Sequence, residues 1–287
     1  MSHSLESMSI VIEDALVALN LRGMASVRTA LEVGYCLRAA QILFDAKGVV
    51  LIGTGFPVTA SSTTDTFTTF ETDGPLGAIA LYQALEVTGS TPYIVCGEPL
   101  SKALKEDYRV VDIRLGQYDA QEQEAKALLE QLQPKVVLSI ERPGQAEDGR
   151  YYNMRGEDIS ERAACFDRFM RQAACPTIAI GDGGNEIGMG NVTDALKSLD
   201  IVASTTKCDE LLVADVSNWG AYGLIAMIGR LANRDLLAEL SPIEILQYLS
   251  TLGSVDGVTR LNQLTEDGQD AEVGDALILQ LRRLSGF

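Results

Sequence analysis

Residues 178–190 read Ile178-Ala-Ile-Gly-Asp-Gly-Gly-Asn-Glu-Ile-Gly-Met-Gly190, an apolar run that ends in a glycine-rich segment. Glycine allows tight turns and a close approach of the backbone to a ligand. Between the glycines lie Asp182, Asn185 and Glu186, whose oxygen atoms suit a hard cation or an ammonium group. An apolar strand that ends in such a loop is typical of the ligand-binding edge of an open α/β sheet. An ordinary β-to-α turn is the alternative, but it needs fewer glycines and carboxylates.

The glycine-rich segment does not match a nucleotide-binding loop. It is neither GxGxxG followed by a helix and a ribose-binding acid, nor GxxxxGK[ST]. It also carries two acids where a phosphate would have to bind. We therefore expect no nucleotide cofactor.

Apolar runs alternate with helical patterns along the chain, which predicts parallel strands covered by helices on both faces. We expect a single doubly wound α/β domain over residues 1–287, with a mainly parallel sheet of about six or seven strands. Helical additions are predicted at residues 1–46 and 235–287. Residues 54–74 are predicted to form a long loop, and residues 159–174 a helix. The predicted strands lie at residues 49–53, 93–96, 110–113, 135–140, 177–180 and 211–215.

The net charge of −17 and the pI of about 4.4 argue against binding to nucleic acid or to an anionic membrane. No run approaches the ~20 apolar residues of a membrane span. The N-terminus also lacks the basic and apolar regions of a secretory signal. The five cysteines form no CxxC pair and lie mostly in apolar runs, which predicts reduced thiols in a cytoplasmic protein.

The only histidine is His3, in a polar N-terminal segment. A Ser-His-Asp triad, a Cys-His pair and a histidine-based zinc site are therefore not expected. Acid–base chemistry would come from Asp, Glu, Lys, Tyr or Cys side chains.

Polar residues follow most of the predicted strands, and the carboxyl ends of parallel strands share one edge of the sheet. We therefore expect these residues to converge on a small amino acid or carboxylic acid, with carboxylates on its ammonium. Arg142 and Arg155 either bind its carboxylate or form ion pairs with the acids. The candidate binding residues are Thr54, Gly55, Glu141, Arg142, Arg155, Gly183, Gly184, Asn185, Ser217 and Asn218.

Four acids, Glu71, Asp73, Asp182 and Glu186, are candidate ligands for a metal ion. Their oxygens favour Mg²⁺ or Ca²⁺ over zinc. Without a cation, clustered carboxylates would repel one another and some would take up protons. An arginine or a substrate ammonium would relieve the repulsion equally well, so this alternative stays open.

Several segments together resemble the C-terminal domain family of mitochondrial D-glutamate cyclase. They are GTGFP (53–57), ETDGPLG (71–77), SIERPG (139–144), GDGGNEIGMG (181–190) and the stretch from Cys208 to SNWG (217–220). The resemblance extends over about residues 15–285. It implies conversion of D-glutamate to 5-oxo-D-proline and water, or a related reaction on a small amino acid.

For that reaction we expect Asp182 or Glu186 to accept the ammonium proton. We expect Lys207, Arg142, a metal ion or loop N–H groups to stabilise the oxyanion. The alternative function is a non-catalytic protein that binds or senses an amino acid or a dicarboxylate. A homodimer is compatible with either function.

Overall fold

The computed structural model describes residues 4–61, 65–116 and 118–287. His3 lies outside these ranges, as do Ser62 and Thr63 of the loop predicted at residues 54–74. None of the helices in the described ranges is long and apolar enough to cross a membrane.

Six strands in the described residues form one parallel sheet. They are β1 (Val49–Thr54), β4 (Thr91–Cys96), β5 (Val110–Asp112), β6 (Val136–Ile140), β7 (Thr177–Gly181) and β8 (Glu210–Val213). Their order is β5-β4-β1-β6-β7-β8, so the winding direction reverses between β1 and β6. The predicted doubly wound α/β fold is confirmed. Ligands in such folds bind outside the carboxyl ends of the strands, at this reversal.

The helices cover both faces of the sheet. They are α1 (Leu5–Leu16), α2 (Met24–Arg28), α3 (Tyr35–Asp45), α4 (Pro75–Val87), α5 (Leu100–Leu104), α6 (Tyr118–Leu132), α7 (Asp167–Gln172), α8 (Thr193–Leu196), α9 (Ser217–Ala232), α10 (Pro242–Thr251) and α11 (Ala271–Ser285). Successive side chains of a strand point to opposite faces. Val50 and Ile52 accordingly pack on one face of the sheet, in the core formed with α1, α3, α4 and α9 to α11. Leu51 packs on the opposite face, in the core formed with α2, α6, α7 and α8.

Residues 54–74 were predicted to form a loop, and this prediction is wrong for residues 57–61 and 66–70. Here β2 (Pro57–Ser61) pairs antiparallel with β3 (Thr66–Phe70). The run Thr-Phe-Thr-Thr-Phe in β3 has the β-branched and aromatic residues that favour a strand. A second hairpin, β9 (Thr265–Glu266) with β10 (Gln269–Asp270), lies in the C-terminal segment that was predicted to be helical.

Of the helix predicted at residues 159–174, only residues 167–172 are helical, and they form α7. Residues Ile159, Ala163 and Cys165 instead pack with Phe56 and Tyr151 in a small separate core. Tertiary packing here outweighs the helix propensity of the segment. The consequence is an irregular segment close to the carboxyl end of β1.

Candidate active site

Six buried carboxylates meet beside the carboxyl ends of β1, β6 and β7. They line one cavity with a volume of about 50 Å³. The loops after β3, β6 and β7 and the turn of the C-terminal hairpin supply them. The six are Glu71, Asp73, Glu141, Asp182, Glu186 and Asp267.

Asp182 belongs to two triplets in which oxygens of the three carboxylates lie within 4.8 Å of one another. We call Asp73, Asp182 and Asp267 the Arg22 triplet, because Arg22 pairs with two of its members. We call Glu141, Asp182 and Glu186 the Glu141 triplet.

Arg22, which sequence reasoning missed, inserts its guanidinium among these acids from the segment between α1 and α2. Its Nη1 lies 2.7 Å from Oδ1 of Asp182, and its Nη2 pairs with Asp267. Asp215 positions this segment by accepting hydrogen bonds from the backbone N–H groups of Leu19 (2.7 Å) and Leu21 (3.0 Å). Burial opposes the charge of Arg22, but Asp182 and Asp267 outweigh burial and raise the pKa of its guanidinium. No local sequence signal identifies Arg22, because its partners lie 160 and 245 residues away.

Asp73 holds the amino terminus of α9. Its carboxylate accepts hydrogen bonds from the backbone N–H groups of Ser217 (3.0 Å), Asn218 (2.8 Å) and Gly74 (2.9 Å). Asp182 accepts a further bond from Ser217 N–H at 3.1 Å. Both carboxylates therefore lie at the amino terminus of α9, where they accept hydrogen bonds from backbone N–H groups that have no partner within the helix.

Ser217 and Asn218 connect the surrounding loops. The Ser217 hydroxyl donates to Oε2 of Glu141 at 2.5 Å. The side-chain oxygen of Asn218 accepts from Gly74 N–H (2.9 Å) and Gly77 N–H (2.7 Å). Neither residue lines the cavity, but both contact its acids: Ser217 donates to Asp73, Asp182 and Glu141, and the backbone N–H of Asn218 donates to Asp73.

The glycine-rich loop folds around Glu186. Its carboxylate accepts hydrogen bonds from Gly183 N–H (3.1 Å) and Gly184 N–H (2.8 Å). The side-chain amide of Asn185 donates to the carbonyl oxygen of Tyr152 at 3.0 Å. These bonds set the shape of the loop, and all of these residues except Gly184 and Tyr152 line the cavity.

Arg142 is buried and donates to backbone carbonyls. Nη1 lies 2.8 Å from the carbonyl oxygen of Thr54 and 2.9 Å from that of Gly55, and Nη2 donates to the carbonyl oxygen of Ala164. Burial lowers the pKa of this guanidinium. Arg142, Thr54 and Gly55 line a smaller neighbouring cavity of about 20 Å³. In this structure Arg142 shapes the loop after β1.

Lys207, predicted to stabilise an oxyanion, is exposed and lies outside the residues that line the main cavity. Three arginines, Arg155, Arg162 and Arg260, lie at the rim of the main cavity. Arg155 donates to the carbonyl oxygen of Val258 at 2.9 Å. Glu157 also lines the rim and pairs with Arg260 at 2.9 Å, so the cavity has a buried acidic floor and a rim with three arginines and one glutamate.

The pKa values of the floor acids are perturbed by their surroundings. Burial, followed by the charges of neighbouring acids, raises the pKa values of Glu71, Asp73 and Glu141 well above their usual range. Burial and the charge of Asp182 raise those of Glu186 and Asp267 to about 7. Perturbed acids in a cavity are typical of functional sites.

Residues 9–282 match the family described as D-glutamate cyclase-like, C-terminal. The chain belongs to this family. It is 32% identical over 211 residues to the mitochondrial D-glutamate cyclase of Homo sapiens. That match covers 66% of this chain and 33% of the human protein, so the chain corresponds to about one third of that relative.

Among solved structures, this family member is similar to an exopolyphosphatase-related protein from Bacteroides fragilis. The TM-score is 0.43 at 11% identity, over 88% of this chain and 57% of that one. It is also similar to the C-terminal domain of the coenzyme A biosynthesis bifunctional protein CoaBC. That TM-score is 0.28 at 15% identity, over 53% and 72% of the two chains.

Glu266 is a further buried acid of this D-glutamate cyclase-like chain that sequence reasoning missed. Its Oε2 accepts hydrogen bonds from Tyr222 Oη (2.8 Å) and from Asn218 Nδ2 (3.1 Å). Burial raises the pKa of its carboxyl to about 7. Glu266 thus lies behind Asn218, outside the cavity lining.

We expect Glu266→Gln to stabilise the protein at about pH 8, by up to about 3 kcal/mol, and to have little effect near pH 4.5. The folded-state pKa lies above the unfolded value. The stability from this group is therefore fully present at low pH and is lost as the pH rises through about 7. Glutamine keeps the acceptor for Tyr222 and Asn218 but cannot ionise. Urea unfolding of both proteins across this pH range measures the difference, and an equal effect at both ends would contradict the assignment.

Proposed function

We propose that this chain is a lyase of the D-glutamate cyclase type, which converts D-glutamate to 5-oxo-D-proline and water. The observation that carries the proposal is the bipolar cavity, with buried carboxylates on its floor and arginines at its rim. D-glutamate has the complementary charges, one ammonium group and two carboxylates. Membership of the family supports the same reaction.

Ring closure requires a neutral amine. The ammonium loses one proton to a floor carboxylate, and the nitrogen bonds to the γ-carboxyl carbon and loses a second proton. The C–O bond then breaks, and the oxygen leaves as water with these two protons, one of them returned by the floor carboxyl group. In this proposal Asp182 and Glu186 remain candidates for proton transfer. Arg22 lies beside Asp182 at 2.7 Å and is better placed than the exposed Lys207 to stabilise the oxyanion.

We also propose that the Glu141 triplet holds Mg²⁺ or Ca²⁺. Its donors are carboxylate oxygens, which suit these ions. Arg22 pairs with Asp182 and Asp267, so the Arg22 triplet already has a cation. A divalent ion on the Glu141 triplet would offset the remaining negative charge and polarise a carboxyl group.

The alternative function is a binding protein for an amino acid or a dicarboxylate. The backbone N–H groups that hold Asp73, Asp182 and Glu186 in fixed positions suit ligand binding as well as catalysis. A binding protein would retain the bipolar cavity without turnover.

We expect purified protein to form 5-oxoproline from D-glutamate, detected by chromatography. EDTA-treated protein should be slower and should recover with Mg²⁺ or Ca²⁺. Absence of product from both glutamate enantiomers, with and without either ion, would exclude the lyase. Binding of D-glutamate without product would favour the alternative.

A further inference from the structure

Glu71 differs from the other five floor acids in its hydrogen bonding. Asp73, Asp182 and Glu186 accept bonds from backbone N–H groups, Asp267 from Arg22 and Glu141 from Ser217. In the described ranges no group donates a hydrogen bond to the side chain of Glu71. Glu71 is 8% exposed and lines the same cavity.

The backbone holds Glu71 in this position. Its own N–H donates to the carbonyl oxygen of Phe56 at 3.4 Å, and the N–H of Thr72 donates to that of Val255 at 2.9 Å. The carboxylate therefore lies between β3 and the segment that follows α10. Its location does not depend on a partner for its own oxygens.

Gly257 provides the space for this carboxylate. A Cβ atom at position 257 would lie 2.0 Å from Oε2 of Glu71, so any larger residue would displace the acid. The φ angle of Gly257 is not in the left-handed region. Glycine is therefore required here by the space that Glu71 occupies rather than by the backbone.

A buried carboxylate without a donor is costly in its ionised form, so it takes up a proton unless a cationic ligand compensates its charge. The guanidinium of Arg22 is engaged by Asp182 and Asp267. Glu71 also belongs to neither carboxylate triplet, so it is poorly placed to share a metal ion with two other acids. A ligand with its own N–H donors fits these conditions best.

We propose that Glu71 is the binding group for the ammonium of the ligand, so that the cavity selects dicarboxylates that carry a primary amine. This inference rests on the proposed function. The sequence predicted that carboxylates bind the ammonium of the ligand, and the inference gives that role to Glu71. The rim arginines then face the two carboxylates of the ligand.

The test compares D-glutamate with glutarate, which has the same two carboxylates and no amine. By isothermal titration calorimetry, Glu71→Gln should weaken D-glutamate binding by about 30-fold or more. It should leave glutarate binding within about three-fold of wild type, or tighten it, because a repelling charge is removed. Gly257→Ala should also weaken D-glutamate binding, because it displaces Glu71 without removing the charge.

Glu147→Gln is the matched control, since Glu147 is exposed and lies outside the cavity lining, and it should change neither affinity. Circular dichroism and thermal melting of each variant establish that it is folded. Equal weakening of both ligands by Glu71→Gln, unchanged D-glutamate binding, or no binding of D-glutamate to wild type would overturn the inference. Binding that depends on Glu71 without 5-oxoproline formation would instead retain the inference and overturn the lyase.

Discussion

Replacement of Asp182 by asparagine is expected to lower 5-oxoproline formation from D-glutamate at least about 100-fold. Asp182 is the only residue shared by the Arg22 triplet and the Glu141 triplet in the described part of the chain. It also accepts hydrogen bonds from Arg22 at 2.7 Å and from Ser217 N–H at 3.1 Å. Asparagine presents one acceptor and one donor, so one of these two N–H groups would face another N–H group. The substitution therefore removes charge from both triplets and loosens Arg22.

The measurement is the rate of product formation at saturating D-glutamate. Asp45→Asn makes the same chemical change at the exposed end of α3 and should retain the wild-type rate. Urea unfolding of both variants separates loss of activity from loss of structure. A folded Asp182→Asn protein with more than about a tenth of the wild-type rate would exclude Asp182 from the catalytic centre.

Gly188→Ala is expected to destabilise the protein by about 4 kcal/mol. The φ angle of Gly188 is +96°, a conformation that costs an L-residue free energy. A Cβ atom at this position would also lie 2.4 Å from Cβ of Ala179 on β7 and 3.1 Å from Cδ1 of Leu211 on β8. Because both contacts are in the core, relief would require the strands or the site loop to move.

The variant Gly89→Ala separates the cost of the backbone conformation from the cost of the steric contacts in the free energy of unfolding. Gly89 has a φ angle of +90° but nothing within 4 Å of its added Cβ atom, so only the backbone cost of about 1–2 kcal/mol applies. The free energies of unfolding of the two variants, measured in urea, should therefore differ by about 2 kcal/mol or more. Equal values would show that the loop after β7 moves away from the sheet at little cost.

The sequence was most informative where function depends on the sheet. Asp182, Glu186 and Glu141 follow β7 and β6 directly, and parallel strands bring their carboxyl ends to one edge. The same rule accounts for Ser217, which follows β8. The apolar runs, and the polar residues that follow them, were therefore sufficient to predict that these four residues lie close together.

The remainder of the site depends on contacts that no local pattern encodes. Arg22 and Asp267 come from the N- and C-terminal segments and meet only because α1 and α11 pack on the same face of the sheet. For Arg142, the sequence cannot tell whether a guanidinium will meet a ligand carboxylate or backbone carbonyls, because that depends on how the loop after β1 folds. Glu71 was identified as an acid, but its lack of donors is visible only in three dimensions.

The pairing of Arg22 with both Asp182 and Asp267 has a consequence for biosynthesis. The three residues span 245 positions of the chain, and loop closure over such separations is slow compared with local structure formation. While the ribosome is still adding the last helices, Asp267 is missing and Arg22 has only one of its two carboxylate partners, Asp182. Nascent or truncated chains that stop before residue 267 should therefore contain the six-stranded sheet without the complete lining of the acidic cavity.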